Sequence, residues 1–340
     1  MTRAEGDMAP IPSSSEAPQS IVEMALQRQQ ARANRDFALA DQLRAGIADA
    51  GWLVADAPDG FTLAPRPPFE VAPSLADLQA PGVAEAACGI AVLVDGWPED
   101  VRTCVGALLA HAPAGALIWL LDLGNVDGAG MVVHDMASQH PGRVIELHCS
   151  LTLEQAGWGK STARLVELDS APAHVVMDMS SVLTGDAITP LLRELQAPGV
   201  VGAGWRGVDV NLSDNWRSFV SATGEVDALL GYLMVVDTQA ARATPPHPKA
   251  RFYRNADMEW SLMLRAAGGR LVAPAGELPV RQDRHRGYHD SDPEVRDRES
   301  KRTYDRLLAQ FRGRDGILHP RTLPTSPTAA PDSSSAPESG

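Results

Sequence analysis

Cysteine is scarce in this chain, with Cys88, Cys104 and Cys149 the three among 340 residues. Odd in number and without metal-ligand spacing, they exclude a disulfide framework and read as free thiols in a reducing compartment. Basic charge is also short. Lysine and arginine total 30 against 43 aspartates and glutamates, a formal net charge of −13. That balance excludes a broad nucleic-acid footprint or an anionic membrane surface, so no DNA partner is expected. Long apolar runs are missing as well. The strongest, Ala114–Leu121, is strand-sized, so no transmembrane segment is expected. No basic start with a following apolar core opens the chain, and a cytoplasmic location is the expectation.

What the chain does have is 44% hydrophobic residues, enough for one large α/β domain with an appendage. The stretch His174–Leu195 is the most informative. Its apolar run His174–Met177 predicts a buried strand, with Asp178 where that strand ends. Ile188, Leu191, Leu192 and Leu195 then repeat with helical spacing behind Asp186, an N-cap residue type. An acidic group between strand and helix sits at the carboxyl edge of a sheet, where open α/β folds bind ligands. Capping of a turn is the other role open to Asp178.

In chain order, residues 1–19 are Pro/Ser-rich and predict disorder. A helical hairpin module follows over 20–63. Ser20 and Glu23 suggest a capping box for its first helix, which runs to about Ala33. The second helix carries Phe37, Ala40, Leu43 and Ile47 on one face and stops at Gly51. Trp52–Val54 and Phe61–Leu63 then read as a hairpin about Asp59-Gly60. Residues 64–84 form a Pro-rich linker. From 85 to 318, apolar strands (Gly89–Val94, Ala116–Leu121, Arg143–His148) alternate with helical patterns, which predicts a mainly parallel sheet with helices on both faces. Residues 319–340 are again Pro/Ser-rich and predict a disordered tail.

Two nucleotide-binding decoys are rejected. GWGKS has Glu154 where a phosphate loop needs its first glycine. Gly202, Gly204 and Gly207 form a formal GxGxxG, but the alternating Val208–Leu212 that follows reads as a strand, not a helix.

Two resemblances emerge from longer patterns. ARANRDFALADQLRAGIADAGWLVADAPDG resembles the C-terminal module of cysteinyl-tRNA synthetases through Phe37, Ala40, Asp41, Arg44 and Gly51. No synthetase catalytic motif follows, and four arginines in Ser20–Ala50 are offset by four acidic residues. A helical packing module is the reading preferred over tRNA contact. Residues 89–290 resemble a family 2 glycosyltransferase, whose motifs occur in the same order. IAVLVDGW is similar to its first strand, LIWLLDLGNVDG to its IVVDDGSTDG turn, and GWGKSTARL to its G..K..ARN helix. HVVMDMS falls at its Asp-x-Asp metal motif, NADMEWSLMLRAAG resembles its ED.DLSLRLR.AG helix, and RQDRH falls where a late histidine is expected.

The resemblance implies the nucleotide-diphospho-sugar transferase fold and a nucleotide-sugar donor whose sugar passes, with inversion, to a hydroxyl acceptor (glycan, lipid or protein). It places Asp95 and Asp122 at the base and ribose, and Arg164 near the nucleotide. Asp178 is expected on a Mg²⁺ or Mn²⁺ ion at the diphosphate, with His285 or His289 completing that site, and Asp257 as catalytic base. A cation on the phosphates would stabilise the leaving group, and in-line attack needs a carboxylate within reach of the acceptor hydroxyl. The chain departs from the pattern twice. Asp178-Met179-Ser180 has a hydroxyl in place of the second carboxylate, and Ala256-Asp257 keeps only one acid of the pair. Glu259 is no substitute, because residues two apart on a helix point different ways. A non-catalytic binding or scaffolding protein of the same fold is the alternative.

Overall fold

The structure is a computed structural model that describes residues 17–58, 60–82 and 85–320. Asp59, part of the expected hairpin turn, lies outside these residues, as do most of both terminal segments expected to be disordered. Two compact units divide the chain, residues 1–70 and 71–340.

In the first unit, α1 (Gln19–Ala33) and α2 (Phe37–Asp49) precede the antiparallel pair β1 (Trp52–Ala57) and β2 (Gly60–Pro65). Ile21, Ala25, Ile47, Trp52, Val54 and Leu63 form its core. The capping box is not made. The helix starts two residues earlier, at Gln19 behind Pro18, without a side-chain cap, and Gln19 donates to Glu23 instead. Asp36 caps α2 by accepting the Leu39 N–H, while Phe37 remains exposed. Arg28, almost fully buried, reaches Asp56 across the unit at 2.7 Å.

The second unit opens with residues laid along a sheet edge, where Ala72 exchanges backbone bonds with His148 and Ser150. Its elements then run β3 (Cys88–Val94), α3 (Pro98–His111), β4 (Ala116–Leu123), α4 (Ala129–Gln139), β5 (Val144–Cys149), α5 (Leu153–Ala156), α6 (Trp158–Leu168), β6 (Ala173–Met177), β7 (Ser181–Leu183) and α7 (Ile188–Glu194). There follow β8 (Val200–Gly204), β9 (Gly207–Val210), β10 (Phe219–Ala222), β11 (Gly224–Glu225), β12 (Ala228–Leu229), β13 (Leu233–Asp237), α8 (Thr238–Ala243), α9 (Ala256–Ala266), β14 (Arg270–Ala273), β15 (Val280–Gln282), α10 (Arg286–His289) and α11 (Pro293–Phe311).

Among the described residues eight strands make the central sheet, in the order β11-β14-β8-β13-β6-β3-β4-β5. The half made of β6-β3-β4-β5 is all parallel, as continuous apolar strands joined by helices require. β13 enters antiparallel between β6 and β8. Two apolar cores cover the two faces. Trp119, Leu121, Leu165, Trp158 and Trp260 lie on one, and Ile90, Ile118, Val105, Leu108 and Leu191 on the other. No helix among the described residues is long and apolar enough to cross a membrane.

Both glycine decoys serve packing. Gly159 donates to Ala250 at 2.7 Å, and a Cβ there would sit 2.3 Å from the His247 carbonyl oxygen. Gly204 ends β8 and Gly207 starts β9, so no helix opens behind them.

Candidate functional site

Asp178 is the first residue beyond β6, and its N–H donates to the Tyr232 carbonyl just before β13. A strand that ends at the sheet's carboxyl edge leaves this side chain pointing out of the core. Oδ1 accepts the Ser180 N–H at 2.8 Å and also the Ser180 hydroxyl. The returning strand β15 pairs antiparallel with β7, and Asp283 donates its N–H to the Ser180 carbonyl at 2.8 Å. That pairing carries His285 across the cleft, where its Nε2 meets Asp178 Oδ2. Tyr253 stacks edge-on against His285 at 4.5 Å and donates its hydroxyl to Asp95 Oδ2 at 2.7 Å.

The resulting cleft has a volume of about 1130 Å³ and is lined by Asp178, Tyr232, Tyr253, Arg254, Asp257 and His285, among others. Asp257 stands in the first turn of α9, behind the left-handed Asn255. Its Oδ2 accepts the Gly231 N–H and its Oδ1 the Met258 N–H, both at 2.8 Å. A Cβ on Gly231 would lie 3.2 Å from the Asp257 Cβ, so glycine lets the backbone come this close. Burial raises the Asp257 pKa to about 6, against those N–H bonds, which alone would lower it. Burial also lifts Asp95 above the usual carboxylate range, partly offset by the Tyr253 hydroxyl. Tyr253 itself is pushed well up, by burial and then by the Asp95 charge. For His285, burial works against a charge. The bond to Asp178 leads the effects that outweigh it, and the pKa rises.

Asp178, Asp257 and His285 thus share one cleft, with Asp95 joined to them through Tyr253. Asp95 Oδ1 is buried and has no hydrogen-bond partner among the described residues, and the residue also lines an adjoining cavity of about 620 Å³ with Thr152, Arg251 and Phe252. His289 lines the main cleft but packs against Tyr288 rather than Asp178, with ring centroids 5.1 Å apart.

Two expected nucleotide residues do not reach the cleft. β4 runs two residues past Leu121, so Asp122 is inside the strand, opposite His148 of β5, and 1% exposed. Its Oδ2 lies 2.9 Å from His148 Nδ1, while His148 Nε2 faces Glu146 and Glu146 faces His134. Arg164, on α6, spends its guanidinium on the Leu78 carbonyl at 2.6 Å and on Glu167 at 2.9 Å.

Sequence reasoning missed Tyr253, although it lies near the end of the long Pro-rich stretch 241–255, a type of loop that often carries function. It also missed Thr162 and Ser300. Both are buried, line the cleft and have hydroxyls without a hydrogen-bond partner among the described residues. A separate acidic and histidine group, Asp209, Asp227 and His319, has ligand atoms within 4.8 Å of one another. Asp227 Oδ2 accepts the Val210 N–H and its Oδ1 the His319 N–H, while Asp209 faces His319 Nε2 at 2.9 Å. These bonds tie the segment after α11 to the small sheet β10-β9-β12.

The Asp178 position does not fit a divalent cation as it is arranged. Mg²⁺ and Mn²⁺ prefer several oxygen ligands, whereas here one carboxylate is engaged on both oxygens and the second acid of the motif is Ser180. Of the residues expected at the metal, Asp178 and His285 meet each other, and His289 packs against Tyr288 instead.

No family model and no curated protein matches the chain. Solved structures do. GalNAc-T7 with UDP, GalNAc and Mn²⁺ matches with a TM-score of 0.52 at 12% identity, over 66% of this chain and 48% of that one. The mannosyltransferase PcManGT from Pyrobaculum calidifontis, in complex with GDP-Man and Mn²⁺, matches with a TM-score of 0.49 at 13% identity, over 72% of this chain and 79% of that one. This chain spans about half the length of the first. Likeness to the first, at such identity, is one of fold, and with the mostly parallel sheet it assigns the chain the nucleotide-diphospho-sugar transferase fold.

Proposed function

We propose that this chain transfers a sugar from a nucleoside-diphosphate donor to a hydroxyl acceptor, with inversion, as a family 2 glycosyltransferase does. The observation that supports this most is Asp257, a carboxylate held at a helix start inside the cleft with its pKa raised to about 6. A group with that pKa is ionised at neutral pH yet basic enough to accept a proton. In the reaction, the acceptor oxygen bonds to the anomeric carbon as the bond from that carbon to the diphosphate oxygen breaks. The acceptor proton passes to Asp257. Asp95 contributes the unpartnered Oδ1 to a donor hydroxyl or ring N–H. Arg254 and Lys301, which line the cleft, face the charge of the leaving diphosphate. The cytoplasm is the proposed location.

The test is incubation with a panel of UDP-, GDP- and dTDP-sugars, alone and with simple glycoside acceptors, while nucleoside diphosphate release is followed. Release that Asp257→Asn abolishes supports the reading. Tight donor binding without turnover supports the second reading, a non-catalytic donor-binding protein, which Ser180 in place of an acid favours.

A further inference from the structure

His285 is the N-cap of α10, and the cap bond settles which of its nitrogens holds the proton. The Tyr288 N–H donates to His285 Nδ1 at 2.9 Å. A nitrogen that accepts from an amide carries no proton, so in the neutral ring the proton is on Nε2. Nε2 is the atom that meets Asp178 Oδ2. A histidine that ligates a cation through Nε2 needs its lone pair there. It places its proton on Nδ1 and gives it to an acceptor. Here that proton would run into the Tyr288 N–H.

The other half of the pair is committed in the same sense. Asp178 Oδ1 takes two hydrogen bonds from Ser180, and the Ser180 hydroxyl also accepts from Gln282 Nε2 at 3.2 Å. The two Ser180 bonds fix the turn after β6, and the Gln282 bond and the His285 contact join that turn to the returning segment that carries β15 and α10. Their common effect is to hold that segment over the cleft.

On the reading that this cleft takes a nucleoside-diphosphate donor, we propose that Asp178 and His285 form a latch rather than a cation site, so that donor binding needs no divalent cation. The diphosphate charge then falls to side chains of the cleft. Arg254 is the best placed, since it lies three residues before Asp257 and donates Nη1 to the Tyr288 hydroxyl at 2.7 Å, next to the latch.

Calorimetric titration of UDP and GDP into the full chain, in EDTA and in millimolar Mn²⁺, tests this. Dissociation constants that agree within about threefold are the expected result, and tightening of tenfold or more by Mn²⁺ overturns the latch while leaving the donor reading intact. If neither nucleotide binds, the donor reading fails, and two measurements on the free protein still decide the latch. Imidazole ¹⁵N shifts at pH 8.5, with the His285 signal identified by His285→Gln, should show a protonated Nε2 and a bare Nδ1. The reverse pattern overturns the latch. Paramagnetic resonance of added Mn²⁺ should show no bound ion that Asp178→Ala removes, whereas such an ion overturns it.

Discussion

Arg306 of α11 grips Glu259 of α9 through two bonds, of 2.5 and 2.6 Å, and Glu259 is fully buried. Two residues earlier on the same helix, Asp257 opens to the cleft. The pair locks α11 across α9, so one helix supplies both a structural anchor and the candidate base. Glu259→Gln leaves the half-buried Arg306 guanidinium without its counter-charge, a loss of about 3 kcal/mol. A lower denaturant midpoint with turnover retained in the folded fraction is the expected outcome. Collapse of turnover at unchanged stability would assign Glu259 to the chemistry instead.

Asp257→Asn should bind the nucleotide-sugar donor normally, because Asn keeps an acceptor for the Gly231 N–H. Transfer should fall by about 10²–10⁴-fold, the usual contribution of a positioned base. Steady-state kcat and KM, measured together, separate this from a binding defect.

The pH dependence has a definite sign. A base with a pKa of about 6 gives a rate that climbs as pH rises through 6 and then levels, a limb absent from Asp257→Asn. Stability runs the other way. The folded state binds this proton more tightly than the unfolded chain, whose carboxyl has its usual value of 3.8. This contribution is therefore full below pH 3.8 and lost as pH rises through about 6. Thermal melts of Asp257→Asn should lack that decline.

Arg254→Ala should weaken nucleoside-diphosphate binding by about 10- to 100-fold, the value of one or two charge-assisted hydrogen bonds. Calorimetry in EDTA measures it. Unchanged affinity would remove Arg254 from the donor site.

The first unit has its own core of Ile21, Ala25, Ile47, Trp52, Val54 and Leu63. A chain beginning at Val71 should therefore keep the melting transition of the second unit. A molten product by near-ultraviolet circular dichroism would show that the units fold together.

The alternation of strand and helix from Cys88 to Met177 was legible in the sequence, because buried parallel strands and amphipathic helices are written in short-range periodicity. Asp178 at a strand end and Asp257 at a helix start were legible for the same local reason. What no local pattern holds is the partner of each charged group. The difference between Asp95, which meets Tyr253, and Asp122, which faces His148 inside the sheet, lies in two extra residues of strand and the register between β4 and β5. Arg164 does not reach the cleft because the chain just after Ala72 passes close enough for the Leu78 carbonyl to take its guanidinium. His285 reaches Asp178 only because β15 folds back on β7, and the turn of α10 that follows then fixes the His285 tautomer. Sequence placed the acids and bases along the chain, and strand register decided which of them meet.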